Sequence, residues 1–216
     1  MEKNHGILLS ALPYLGRKKI LKVFTSEAGL ISLIVNSPKL TSLSAPFCAA
    51  EWIYRKPQKE LASLSDGTLL DGFVELRSSY EKISAAGAIA NDLLRSQLPC
   101  KPTPLLYELL FAYFRKLGTS LNPEALATSF RLKLLIHDGL LRFTSHCTLC
   151  NQSPLSLREG EGYCAGHGTG GVFFTSEEWD KLLLLAYSKQ FSILEQVRVS
   201  DAVLEKTKTF FQERIV

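Results

Sequence analysis

The apolar residues change their spacing once, near Ser78, and that change limits the fold more than any other feature. Before it lie five short runs: GILLSALPYL, KILKVFTS, LISLIVNS, FCAAEWIYR and LLDGFVEL. They are rich in Ile, Val, Leu, Phe and Tyr, and Gly, Pro, Ser, Asn and Asp separate them, which is the composition of strands between turns. Ala28-Gly29 supplies a hairpin turn between the second and third runs, and Ser37–Pro46 is the longest loop. Five short strands in the first 77 residues predict a small closed barrel, of which the OB-fold is the commonest five-stranded form.

After Ser78 the spacing becomes helical. Ile83, Ala86, Ile89, Ala90, Leu93 and Leu94 recur at three and four residues up to Leu98, and Pro99 ends the run. PTPLLYELLFAYFRKLG (102–118) is a second helix, opened by prolines and closed by Gly118. A third starts with Asn122 as cap and Pro123 at the first helical position, and ends near Gly139. Ser176 is the expected cap of EEWDKLLLLAYS, and a last helix runs from about Asp201 to Arg214. The expected class is α+β: an N-terminal five-stranded OB-fold barrel over 1–77, then an α-helical domain over 78–216. The latter carries a zinc-knuckle insert at about 143–175.

Charge is uneven along the 216 residues. The net charge is +4, yet residues 1–59 hold nine Lys and Arg against Glu2, Glu27 and Glu51, so the remainder is net acidic. A basic face of this kind suits a polyanion such as nucleic acid. The start MEKNHGILLSALPYLG lacks the signal-peptide pattern, its apolar run being broken by Pro13. No apolar run approaches the roughly 20 residues that span a bilayer. The expectation is a soluble cytoplasmic, nucleoid-associated protein. Five cysteines without a secretory signal argue for reduced thiols or metal ligands over a disulfide framework.

Three of those cysteines lie in CTLCNQSPLSLREGEGYCAGHG, as C-x2-C, thirteen residues, then C-x2-H. Two ligands two residues apart let a tight turn aim both side chains at one ion, and a second pair completes a tetrahedron. Cys147, Cys150, Cys164 and His167 form that set, and three thiolates with an imidazole favour zinc. His146 competes for the fourth place, but adjacent ligands strain the geometry. A redox pair would need a thioredoxin-like βαβ unit, which is not visible. A catalytic zinc keeps a position open, whereas four ligands close this one. A structural zinc is therefore the reading.

Gly166–Gly171 also matches G-x-G-x-x-G, but a knuckle precedes it and the strand-like VFFT follows, the wrong context for a dinucleotide site. No phosphate loop of the G-x-x-x-x-G-K-[ST] type and no G-x-S-x-G elbow occurs. His5 and His137 sit among apolar residues and read as structural. No acid–base or nucleophile constellation stands out, so the chain is not expected to be an enzyme.

HGILLSALPYLGRKKILKVFTSEAGLISLIV resembles the opening of the RecO family of bacterial recombination mediators. Gly6, Phe24, Thr25, Gly29 and Leu30 occupy the family's positions. The helical middle and the late paired-cysteine insert follow the family's order, so the resemblance spans nearly the whole chain. Two departures are visible. The basic loop after the third strand is thinned to Asn36-Ser-Pro-Lys39, which shifts weight to Arg17, Lys18, Lys19 and Lys22. His167 stands where the family usually has Cys.

The resemblance implies a function without turnover. Such proteins bind single- and double-stranded DNA and anneal complementary strands. They work with RecR and help RecA load onto gaps coated by single-strand binding protein (SSB). They also bind the acidic C-terminal tail of SSB, expected here on the helical segments 102–142 and 176–214. Arg17, Lys18, Lys19, Lys22, Lys39, Arg55 and Lys56 are the candidate phosphate-binding residues on the barrel. Phe24, Phe47, Trp52 and Tyr54 are candidates for stacking bases. The rival classes are a zinc-stabilised adaptor for protein or RNA partners and a zinc hydrolase with an open coordination position.

Overall fold

A computed structural model describes residues 1–36, 43–55 and 61–215, so Lys39 and Lys56 lie outside the described residues. The first five strands are β1 (Glu2–Tyr14), β2 (Lys18–Thr25), β3 (Gly29–Val35), β4 (Ala49–Arg55) and β5 (Leu61–Asp71). They close a barrel in the order β1-β2-β3-β5-β4, antiparallel throughout except for the parallel β3–β5 pair. That is the expected OB-type barrel.

Alternation along each strand explains the closure. Leu21 and Val23 of β2, Ile31 and Leu33 of β3 and Trp52 and Tyr54 of β4 face one buried interior, with neighbours of opposite parity outside. The two large aromatics keep their polar ends satisfied. Trp52 Nε1 donates to the Gly6 carbonyl at 2.9 Å, and the Asn4 amide donates to the Tyr54 hydroxyl at 2.7 Å.

The fifth strand differs from expectation. Of LLDGFVEL only the first three residues, Leu69–Asp71, belong to it; β5 starts earlier and runs through the more polar LASLSDGTLLD. Only Ala62 and Leu64 of this strand are buried, so its outward side chains are free to be polar. The apolar FVEL instead enters a 3-10 turn, Val74–Ser78, which buries Leu76. The preceding Phe73 meets the rings of Phe111 and Phe114 edge-on at 5.5 and 5.7 Å.

Two helices follow, α1 (Tyr80–Ser96) and α2 (Pro104–Thr119). The Ser79 hydroxyl caps α1 by accepting the Lys82 amide. Barrel, 3-10 turn, α1 and α2 together make one compact unit, residues 1–119.

The second unit, residues 120–216, is built on α3 (Pro123–His137). Asn122 caps α3 by accepting the Ala125 amide, while its own amide donates to the carbonyls of Glu195 and Val197. A three-stranded sheet follows, β7-β6-β8, from β6 (Ser156–Arg158), β7 (Glu161–Tyr163) and β8 (Val172–Phe173). Then come α4 (Ser176–Tyr187), a short α5 (Phe191–Leu194) that the periodicity did not announce, and α6 (Asp201–Arg214).

The cap of α4 is Thr175, one residue before the expected Ser176. Thr175 and Glu178 exchange bonds in a capping box, which Ser176 could not form with an acid at the right spacing. Lys133 of α3 donates to the carbonyls of Ala186 and Ser188, closing the C-terminal end of α4. Among the described residues no helix is long and apolar enough to cross a membrane.

Candidate metal centre and basic hairpin

The first knuckle is a tight turn in which the Cys150 amide donates to the Cys147 carbonyl. The second is set by the β6–β7 hairpin. Arg158 pairs with Glu161 across Glu159-Gly160, both at positive φ (53° and 89°), the two-residue turn whose twist suits a hairpin. Cys164 leaves the end of β7, and its carbonyl accepts the amides of His167 and Gly168. The Thr148 amide donates to the Gly162 carbonyl and so ties the two knuckles together.

Cys147, Cys150, Cys164 and His167 converge: their ligand atoms all lie within 4.8 Å of one another. A tetrahedral zinc with bonds of about 2.3 Å to sulfur and 2.0–2.1 Å to nitrogen places its ligands about 3.8 Å (S to S) and about 3.6 Å (S to N) apart. Here Cys150 Sγ to Cys164 Sγ is 3.8 Å, and His167 Nδ1 lies 3.6 Å from Cys147 Sγ and 3.4 Å from Cys164 Sγ. The donor set therefore fits such an ion, through Nδ1 of His167. The exposed His146 is not among the converging side chains.

Burial pushes the Cys147 thiol up. Amides near Cys164, Leu149 and Cys150 and the His167 ring outweigh it and bring the thiol down to about 6. For Cys150 the amide at Gln152 lowers the pKa, but burial and the neighbouring thiols Cys164 and Cys147 outweigh it and leave it raised. One cage thus favours one thiolate and resists the second, whereas a bound cation would favour both. The other two cysteines are elsewhere: Cys100 is exposed, and Cys48 is buried, its thiol pushed up to about 11 by that burial.

The glycine fingerprint has a structural explanation. A Cβ on Gly168 or Gly171 would come within 2.5 Å of the Ser156 side chain, so these glycines let the chain lie against β6. Arg158 was not foreseen. It stacks over the Tyr163 ring at 4.4 Å and donates to the His167 carbonyl at 3.3 Å, bracing the second knuckle. Only the β6–β7 pairing reveals it.

The basic candidates divide by strand register. Leu15, Gly16 and the exposed Arg17 make the tip of the β1–β2 hairpin, with Tyr14 opposite Lys18 and Pro13 opposite the half-buried Lys19. One outward row runs Ser10–Lys22–Ser32–Leu61 across four strands, and Lys22 Nζ bonds Ser32 Oγ at 2.8 Å. The next outward row runs Leu12–Ile20–Ile34–Ser63–Arg55. Arg55 ends this row on β4, four strands round the closed barrel from Leu12; the direct β1–β4 register, with Tyr54 opposite Glu2, sets it beside the start of β1 and not beside the first hairpin. His5 is not structural in the sense expected. It is exposed on β1, 3.5 Å from Glu51, which Lys3 also engages at 2.9 Å. His137 lies 3.0 Å from the carboxylate of the adjacent Asp138.

The aromatic candidates are corrected. Phe24, Phe47, Trp52 and Tyr54 are all buried, none more than 8% exposed, and cannot stack bases without opening the unit. The parity was readable: Trp52 and Tyr54 alternate with Glu51 and Arg55, which marks them as inward.

A closed OB-type barrel with a basic hairpin, followed by helices and a candidate zinc knuckle, defines the class of protein. The Recombination protein O N-terminal family matches residues 1–73 and the Recombination protein O C-terminal family matches residues 77–213. The chain belongs to the RecO family. It is 29% identical over 202 residues to the DNA repair protein RecO of Chlamydia trachomatis serovar L2, covering 88% of this chain and 82% of that one. The Chlamydia pneumoniae DNA repair protein RecO is 27% identical over 198 residues, covering 88% and 78%. The Bacillus cytotoxicus DNA repair protein RecO is 24% identical over 219 residues, covering 96% and 88%.

Proposed function

We propose that this chain is a DNA-binding recombination mediator. It binds single- and double-stranded DNA, anneals complementary strands, works with RecR and helps RecA load onto single strands coated by SSB, whose acidic tail it also binds. Residues 1–77 act as the nucleic-acid-binding domain and residues 78–216 as the helical domain that carries the zinc insert. No bond is made or broken in this cycle, so the chain acts without catalytic residues.

The observation that carries the reading is the outward face of the barrel. From Lys3 to Ser26 there is no acidic residue; Lys3 is engaged by Glu51 of β4, while Arg17, Lys18, Lys19 and Lys22 belong to the first hairpin. Arg55 adds an exposed cation at the end of β4. Cations held on a rigid sheet neutralise phosphates without reading sequence, the requirement for a protein that handles arbitrary strands.

The zinc reading rests on the donor set. One ion per chain held by Cys147, Cys150, Cys164 and His167 supplies folding energy to the knuckle and has no open position for chemistry. A strand-annealing assay with SSB-coated complementary oligonucleotides tests the function. Acceleration over the coated strands alone is expected, and its absence with intact DNA binding would reduce the protein to an adaptor.

A further inference from the structure

The buried aromatics leave the barrel without its expected base-stacking residues, yet its outer face is not purely polar. Leu12, Tyr14 and Leu15 are 54%, 40% and 74% exposed and lie next to one another at the hairpin end of β1. Leu12 continues across the sheet into Ile20 and Ile34. Basic side chains border this strip on two sides. Lys18 stands opposite Tyr14, and Lys22 occupies the next outward row. Lys18 and Lys22 are four residues apart on one face of β2, roughly 13 Å along the strand. Apolar surface kept exposed between cations calls for a ligand that is anionic along its length and flat and apolar between its charges.

Two features choose the ligand. Pro13 sits in the segment of β1 that, among the described residues, pairs only with β2. A proline offers no amide to an added strand, so the edge is blocked against a peptide while the face stays open. The absence of acids from Lys3 to Ser26 leaves the β1–β2 hairpin itself, from Lys3 onward, with positive charges only. Duplex DNA presents phosphates but hides its base faces; a single strand presents both.

We propose that Tyr14, with the Leu12–Ile20–Ile34 row behind it, is the base-stacking platform for single-stranded DNA, while Lys18 and Lys22 hold the phosphates on either side. This rests on the DNA-binding reading above and adds to it the residue that separates single strands from duplex.

The test uses the full-length protein, fluorescent oligo(dT) and a matched duplex, with anisotropy titrations at several salt concentrations. Tyr14→Ala is expected to weaken oligo(dT) binding about tenfold with an unchanged salt slope, because stacking releases no counterions. Duplex binding is expected to stay within about twofold of wild type on the same ground. Tyr14→Trp is expected to retain affinity, and its emission to be quenched by oligo(dT), since Trp52 and Trp179 are both buried and contribute little exposed signal.

Unchanged oligo(dT) affinity in Tyr14→Ala, equal losses on both DNAs, or an unquenched Tyr14→Trp would overturn the platform and leave the DNA-binding function standing. Wild-type protein that binds neither DNA would overturn both. Vesicles containing phosphatidylserine form the control arm. If Leu12→Ala/Tyr14→Ala lost vesicle binding but kept oligo(dT), the strip would be a membrane contact and the proposal wrong.

Discussion

The barrel and the cysteine knuckle are both made of short strands, but what holds them differs. The barrel closes around a cluster that includes Leu21, Leu33, Trp52 and Tyr54, and its proposed working side chains point the other way. The knuckle's own buried cluster is Cys147, Tyr163 and Cys164, with Cys150 packed against it. Three of those four are candidate ligands. In the barrel, surface and core can therefore be changed separately. In the knuckle, ligands and core are the same atoms, so chemistry and stability cannot be pulled apart.

The sharpest way to break this contrast is to chelate the zinc that the cage is proposed to hold. Structural zinc contributes apparent binding energies of roughly 10–16 kcal/mol in finger peptides, far more than three strands of two or three residues can replace. Chelation, or Cys147→Ser, is expected to abolish amide-exchange protection over residues 143–173 while barrel protection stays as it was. Metal analysis of the untreated protein should return one zinc per chain. Protection in the knuckle that survives chelation would mean that it holds itself together and the contrast is false.

The matching experiment on the barrel is Trp52→Ala. It empties the largest fully buried side chain and leaves the Gly6 carbonyl without its donor. A loss of about 3–5 kcal/mol in chemical denaturation is expected. The reverse perturbation, Arg17→Glu/Lys18→Glu/Lys19→Glu, is expected to leave stability within about 0.5 kcal/mol, since the hairpin tip packs against little. It should nonetheless lower DNA affinity and flatten the salt slope by about 0.7–0.9 for each phosphate that is no longer neutralised. An unchanged slope removes these three residues from the interface.

The same contrast decides what the sequence could reveal. Knuckle ligands announce themselves because a metal demands fixed residue types at fixed spacing, and the four side chains do converge. Helices were legible from period and caps, because both are local. The barrel was legible as a set of strands but not in register. The pairings Leu12–Ile20, Ile20–Ile34, Ile34–Ser63 and Ser63–Arg55 decide which outward side chains share a row, and none of them leaves a local trace. The fifth strand starts eight residues before the apolar run that hydrophobicity alone marks. A strand with one half-solvated face needs only Ala62 and Leu64 inside, whereas the more apolar FVEL is claimed by packing on α2. The aromatics of β4 differ: the alternation of Trp52 and Tyr54 with Glu51 and Arg55 marks them as inward, whatever their residue type suggests.

The smallest effect concerns how α4, which begins just after the knuckle, is fastened within its own unit. Glu178 accepts the Thr175 amide at 2.9 Å and the Lys206 ammonium of α6 at 2.6 Å. Lys206 also lies 5.1 Å from the centre of the Phe174 ring. Partial burial pushes the Glu178 carboxyl up, but Lys206 and the Thr175 amide outweigh it and leave it below the usual carboxylate range. A carboxyl that is more acidic folded than unfolded adds stability above its unfolded pKa, and that contribution is lost as pH falls through the folded value. Glu178→Gln keeps a side chain able to complete the capping box and removes only the charge facing Lys206. Wild type should therefore exceed this variant by no more than about 1 kcal/mol at neutral pH, as for other partly exposed pairs. The gap should close as pH drops through and below the carboxylate range, which paired denaturation curves across that range would measure. A gap that persisted in acid would show that Glu178 acts through shape rather than charge.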